Sequence, residues 1–141
     1  MGVSRKIFKI CEKHFKMSDK IAELGAQYIY GDEWGEWKPP YFQNVFQGLD
    51  ITSFDYNGAN NCIKLNLSHP LPEKYHNQFD TVTNFGTTEH VQNQHVCWKN
   101  IFDMLKKEGI VISEIPKKGN WPNHCKSVSY THLTLPTICS V

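Results

Sequence analysis

The sequence lacks the patterns that identify several large classes of protein. None of its apolar runs approaches the roughly 20 residues of a membrane span, and its N-terminus has no apolar core of a secretory signal. It contains no Walker phosphate loop and no Gly-x-Ser-x-Gly elbow, which argues against a P-loop nucleotidase and an α/β-hydrolase. The formal net charge is only +1. The chain therefore lacks the strong positive charge that would predict binding to nucleic acid.

Paired cysteines are also missing. The five cysteines form no Cys-x-x-Cys pair, and their odd number and irregular spacing disfavour a disulfide framework. His90, His95 and Cys97 lie close together in the chain, but without the second pair that a zinc site requires. His124 and Cys125 also lie side by side without the second pair of ligands that a zinc site requires. We therefore expect a cytoplasmic protein without a metal ion.

The composition that remains is that of one folded domain. Of the 141 residues, 40% are hydrophobic and 21% are charged, as in globular proteins. Aromatic residues make up 13%, which argues against disorder.

The stretch Phe79–Val91 organises the chain. Its first half, Phe79–Phe85, is β-branched and aromatic and predicts a buried strand. A polar loop follows at Gly86. Helical periodicity then predicts a helix over Val91–Leu105, and Gly109 is the signal that stops it. A strand that ends in a polar loop and leads to a helix is how open α/β sheets form a ligand crevice.

Other segments repeat this alternation. The pattern before the central stretch predicts an amphipathic helix over Ser4–Phe15 and a short helix over Tyr41–Gln47, after an aromatic loop that either covers a ligand or packs on the sheet. Short apolar runs predict the remaining strands, which are Ile21–Leu24, Leu49–Phe54, Cys62–Leu67 and Ile110–Ile115.

The C-terminal stretch differs from the rest. Val128–Thr137 carries no charged residue and resembles the in-frame translation of a transposase-based sequencing adaptor. We expect residues 128–141 to be a non-native tail and residues 1–127 to be a truncated domain.

Four features, in this order, resemble the motifs of class I S-adenosylmethionine-dependent methyltransferases. Glu23-Leu24-Gly25 stands at the end of the first strand and Asp55 at the end of the second. Asn66 stands near the end of the third, where the family has an acid. Phe79–Val91, with its Glu-His-Val ending, matches the fourth-strand motif. The later glycines of the first motif are absent, because Ala26 and Gln27 follow Gly25.

The resemblance implies an α/β fold with a Rossmann-like, doubly wound, mostly parallel sheet in three α/β/α layers, incomplete at its C-terminal end. It implies methyl transfer from S-adenosylmethionine to an unidentified acceptor. Glu23 and Gly25 would shape the pocket of the amino-acid moiety, Asp55 would bind the ribose, and Asn66 would contact the adenine. The full set of expected cofactor-binding residues is Glu23, Gly25, Ala26, Asp55, Tyr56, Asn66, Leu67, Asn84, Gly86 and Glu89.

Several alternatives remain open. Asp55 also suits a turn with Asn57-Gly58, and His90 either acts as a base toward the acceptor or only orients its turn. The chain could instead be a catalytically silent module or another nucleotide binder, although the missing Gly-x-Gly-x-x-Gly disfavours a nicotinamide dehydrogenase. The acceptor, a small molecule or otherwise, cannot be read from the sequence, and neither a nucleic-acid partner nor a membrane span is expected.

Overall fold

A computed structural model of the protein describes residues 2–29, 41–115 and 138–140. In chain order its strands are β1 (Gly2–Val3), β2 (Lys20–Leu24), β3 (Tyr28–Ile29), β4 (Asp50–Asp55), β5 (Ile63–Lys64), β6 (Phe79–Phe85), β7 (Leu105–Glu114) and β8 (Ile138–Ser140). The helices are α1 (Arg5–His14), α2 (Phe42–Val45) and α3 (Gln94–Met104).

A six-stranded sheet in the order β5-β4-β2-β6-β7-β8 forms the centre of the described part of the chain. The first five of these strands are parallel and β8 is antiparallel to β7. The chain runs outward from β2 through β4 to β5, and β6 then returns to the other side of β2. The order therefore reverses between β2 and β6, which confirms the predicted doubly wound α/β fold.

Two apolar cores lie on opposite faces of the sheet, because successive strand residues point to opposite faces. One core joins α3 to the sheet through residues such as Val82, Ile101 and Met104. The other joins α1 and α2 through residues such as Ile7, Phe42 and Ile112. The three α/β/α layers are thus those expected from the sequence.

Helix α1 confirms the amphipathic helix that was predicted over Ser4–Phe15. The Ser4 side chain accepts a hydrogen bond from Ile7 N and caps the helix, and Ile7 and Cys11 are buried. The predicted short helix after Pro40 is also present as α2, and the buried Phe42 packs in the same core. This part of the aromatic loop packs on the sheet, whereas residues 30–40 lie outside the described part.

Several predicted boundaries were wrong. Helix α3 begins at Gln94 because Asn93 caps it, with Oδ1 accepting from Val96 N at 3.1 Å. The helix ends at Met104 rather than at Gly109, and β7 begins at Leu105. Strand β5 has only two residues, since the chain turns away after Leu65. The turn is closed by Asn66 Oδ1, which accepts from Ser68 N at 3.0 Å.

Residues 138–140 of the C-terminal tail pair with β7, placing Ser140 opposite Ile110. The other residues of the tail lie outside the described part, so its non-native origin stays a prediction.

Candidate functional site

A crevice of about 690 Å³ opens at the carboxyl ends of β2, β4 and β6. It lies where the strand order reverses, which is where open α/β sheets bind their ligands. Its volume is within the range of small-molecule sites. The lining residues come from the loops after the strands and include Gly25, Ala26, Gln27, Asp55, Tyr56, Asn66, Leu67, His69, Thr87 and His90.

The turn after β2 forms one side of this crevice. Gly25 has φ +81°, a conformation that favours glycine, and its N–H donates to Phe54 O at 2.7 Å. A Cβ at Gly25 would lie 2.4 Å from Thr87 Oγ1, so the position also excludes a side chain sterically. Both the backbone conformation and the contact with Thr87 therefore require glycine at position 25.

Asp55 connects this turn to the end of β4. Its Oδ2 accepts from Ala26 N and its Oδ1 accepts from Asn57 N, both at 3.1 Å. The second bond is the turn predicted as the alternative role of Asp55, so Asp55 forms a turn and also lines the crevice. A carboxylate offers about four lone-pair positions, which leaves acceptors for further donors. Tyr56, also a lining residue, is 71% exposed.

Asn66 and Leu67 line the crevice from the loop after β5. This loop is held by Asn100 of α3, a residue that the sequence analysis missed. Asn100 donates from Nδ2 to Leu67 O at 3.1 Å and to His69 O at 2.7 Å, and its Oδ1 accepts from Leu71 N at 3.0 Å. A buried amide among the apolar residues of a helix was the signal that could have identified it.

Four predicted site residues lie beneath the crevice wall rather than on it. Glu23, Asn84, Gly86 and Glu89 are buried and are not among the residues that line the crevice. The Asn84 side chain instead organises the loop after β6. Its Nδ2 donates to Thr88 Oγ1 at 2.9 Å and to Ser113 Oγ at 2.8 Å. Asn84 is thus placed to position the loop.

Glu23 forms a buried chain of polar groups behind the Gly25 turn. Its Oε1 accepts from Gln27 N at 3.1 Å, and its other oxygen contacts the Ser53 hydroxyl. Ser53 Oγ also lies 3.0 Å from Gln43 Oε1, while Gln43 Nε2 donates to Asn60 O. The Ser53 hydroxyl has a single hydrogen, so it donates to either Glu23 or Gln43 at any one time.

The buried position of Glu23 also changes its acidity. Burial raises its pKa from 4.5 to about 7, hydrogen bonds from Ser53 and Gln27 oppose the rise, and the nearby charge of Asp55 adds to it. Glu23 is therefore protonated in part at neutral pH, and Asp55 supplies the negative charge of the crevice.

His90, the candidate base, lines the crevice and is exposed. Its Nε2 lies 4.0 Å from Glu89 Oε1. The structure also adds lining residues that sequence reasoning missed, namely Gln27, Phe54, Leu65, Ser68, His69, Thr87, Val91 and Gln92. Thr87 and Val91 lie within the stretch that matches the fourth-strand motif, whereas the others match no motif, which is why the pattern did not reveal them. No Lys or Arg occurs among the described residues of the crevice.

A family model described as a methyltransferase domain matches residues 30–140, which is most of the chain. The chain belongs to this methyltransferase domain family. The recognition of a class I methyltransferase from its motifs is thereby confirmed. No curated protein matches the chain.

The fold of this methyltransferase domain is also found in a solved structure. A provisionally named methyltransferase from Bacillus halodurans C-125 matches with a TM-score of 0.54 and 15% sequence identity. The match covers 77% of this chain and 44% of that protein. The methyltransferase domain thus spans less than half of the length of this solved relative.

The described part of the chain contains neither a metal-binding cluster nor a membrane-spanning helix. No group of three or more His, Cys, Asp or Glu side chains is arranged there to hold a metal ion. None of the helices in residues 2–29 and 41–115 combines the length and apolar character needed to cross a membrane.

Proposed function

We propose that the protein to which this domain belongs transfers a methyl group from S-adenosylmethionine to an acceptor, in the cytoplasm. The observation that carries the proposal is the placement of Asp55 beside the Gly25 turn at the switch point of a methyltransferase-family sheet. A glycine turn permits close approach of a ligand, and a neighbouring carboxylate can accept hydrogen bonds from a ribose diol.

The residues of the crevice fit S-adenosylmethionine in charge as well as in position. The cofactor is a cation at its sulfonium centre, and the described lining contains the Asp55 carboxylate but no Lys or Arg. Asp55 would bind the ribose, and Tyr56, Asn66 and Leu67 would surround the adenine. Gly25 and Ala26 would lie against the amino-acid moiety.

Methyl transfer requires little acid–base chemistry from the protein. Bound S-adenosylmethionine supplies an already activated methyl group, so the chain must orient the acceptor in line with the carbon–sulfur bond and exclude water. His90 stands at the crevice and could remove a proton from an acceptor hydroxyl or amine. Asn84 and Glu89, which are both buried, stand in the strand end and the turn that lead to His90.

Calorimetry separates this proposal from its competitors. The 141-residue chain is titrated with S-adenosylhomocysteine and, separately, with NAD. We expect binding of S-adenosylhomocysteine alone. Binding of NAD alone would indicate a nicotinamide enzyme, and binding of neither would contradict the proposal. Methyl transfer from labelled S-adenosylmethionine to a pool of acceptors then distinguishes an enzyme from a silent binding module.

A further inference from the structure

The Gln27 side chain is held in the crevice wall with one polar atom unsatisfied. Gln27 is 3% exposed, and its Oε1 has no hydrogen-bond partner within the described part of the chain. Its Nε2 donates to Thr87 Oγ1 at 3.0 Å and to Leu24 O at 3.5 Å. A buried acceptor without a donor is unfavourable and rare in native proteins, so this arrangement requires an explanation.

The same side chain bridges the two strand ends at which the crevice begins. Gln27 follows β2 and Thr87 follows β6, and these strands flank the point where the sheet order reverses. A Cβ at Gly25 would lie 2.7 Å from Gln27 Nε2. The amide therefore lies directly against the glycine turn, where the family pattern has glycine rather than Gln27.

The backbone of Gln27 is fixed on both sides, which leaves the side chain as its movable part. Its N–H donates to Glu23 Oε1 at 3.1 Å, and its carbonyl accepts from Phe42 N at 2.9 Å. Thr87 Oγ1 donates to Leu24 O at 2.7 Å and keeps this partner when the amide turns away. Turning the amide toward the crevice thus breaks only the two bonds made by Nε2.

We propose that Gln27 is a specificity-determining residue for the amino-acid end of the cofactor. The amide turns toward the crevice as the cofactor enters, and Oε1 accepts a hydrogen bond from the α-ammonium group. The unsatisfied atom is an acceptor, so it matches an ammonium donor, and the nearby Asp55 carboxylate favours the same positive charge. This inference rests on the proposed function and adds to it the residue that recognises the amino-acid group.

The test compares two ligands that differ at this group. S-adenosylhomocysteine carries the amino-acid moiety, whereas 5′-methylthioadenosine shares its adenosine and sulfur but lacks that moiety. We expect Gln27→Ala to weaken binding of S-adenosylhomocysteine by about tenfold, which is the effect of one hydrogen bond to a charged group. Binding of 5′-methylthioadenosine should change less than about twofold on the same scale. Gln78→Ala, the same substitution at an exposed position that does not line the crevice, is the matched control and should leave both affinities unchanged.

A second variant keeps the test decisive if Gln27→Ala does not fold. Gln27→Glu retains the acceptor and adds negative charge, so it should shift the preference further toward S-adenosylhomocysteine. Equal losses for both ligands, or tighter binding of S-adenosylhomocysteine by Gln27→Ala, would overturn the inference. A wild-type chain that binds neither ligand would overturn the proposed function itself, and the role of Gln27 with it.

Discussion

The carboxylate of Asp55 accepts a hydrogen bond from the backbone N–H of Ala26 at 3.1 Å. This bond joins the turn after β2 to the end of β4, so the ribose-binding candidate and the glycine turn form one unit. A ligand that contacts one of these residues lies next to the other.

Stability should depend on pH through Glu23. Its pKa is about 7 in the folded protein against 4.5 ordinarily, so between these values the folded chain holds a proton that the unfolded chain has lost. The free energy of unfolding contributed by this group therefore falls as pH rises from about 4.5 to 7, by roughly 3 kcal/mol at most, and is constant above that range.

Glu23→Gln isolates this effect, because glutamine can donate to Ser53 and accept from Gln27 at every pH. Chemical denaturation at several pH values measures the free energy of unfolding of both proteins. As pH rises, this free energy should increase in the variant relative to the wild type, and at pH 8 it should be about 1–3 kcal/mol higher in the variant. Parallel pH profiles for the two proteins would show that folding does not raise the pKa of Glu23 and would contradict the prediction.

Asn100 should be important for stability and for the crevice. Asn100→Ala removes three hydrogen bonds and leaves buried backbone groups of the loop after β5 without partners. We expect a loss of about 2–4 kcal/mol in the free energy of unfolding. His95→Ala, on the exposed side of the same helix, should change it by less than about 0.5 kcal/mol. Similar losses in both variants would argue against a special role of Asn100.

The irregular stretch within β7, between Leu105 and Ile110, offers a pair of opposite substitutions. Glu108 has φ +65°, a conformation that costs a non-glycine residue about 1–2 kcal/mol. Glu108→Gly should therefore raise the free energy of unfolding by about 0.5–1 kcal/mol after the greater flexibility of glycine in the unfolded chain is counted. Urea denaturation measures the change, and destabilisation would contradict the argument.

Gly109→Ala should act in the other direction. A Cβ there would lie 2.9 Å from the backbone oxygen of Lys106 and 3.2 Å from that of Asp80, and neither can move without disturbing the sheet. We expect a loss of about 1–3 kcal/mol. An unchanged denaturation midpoint in the same urea experiment would mean that the backbone around Gly109 shifts to make room for the added methyl group.

Short-range pattern was enough to predict the alternation of strands and helices, because each strand end carries its own signal. The doubly wound arrangement of the sheet was implied by the resemblance to methyltransferases. Asp55 and Gly25 could be located since their chemistry is local: one ends a strand before a turn, and the other needs a left-handed backbone. The contacts of Asn100 with Leu71 and of Gln27 with Thr87 could not be predicted, since these partners lie 29 and 60 residues away in the chain. Whether Asn84 faces the crevice or lies beneath it depends on the same long-range packing.

The buried face of α3 could not be predicted for a related reason. Phe102 fits the helical period that predicted α3, yet it is 43% exposed, while Cys97, Asn100 and Met104 are buried. The face that α3 buries is set by the sheet beneath it, and an apolar period alone does not fix that choice.

The central claim is that the crevice beside Asp55 binds S-adenosylmethionine, and calorimetry with S-adenosylhomocysteine tests it most directly. The wild type is compared with Asp55→Ala and Asp55→Asn, and with Asp50→Ala at the other end of the same strand as control. Circular dichroism confirms that each variant is folded. We predict that both Asp55 variants weaken binding by about 10- to 100-fold, as expected for lost hydrogen bonds to a charged group, and that Asp50→Ala binds like the wild type. Equal affinity in folded Asp55 variants and wild type would contradict the claim.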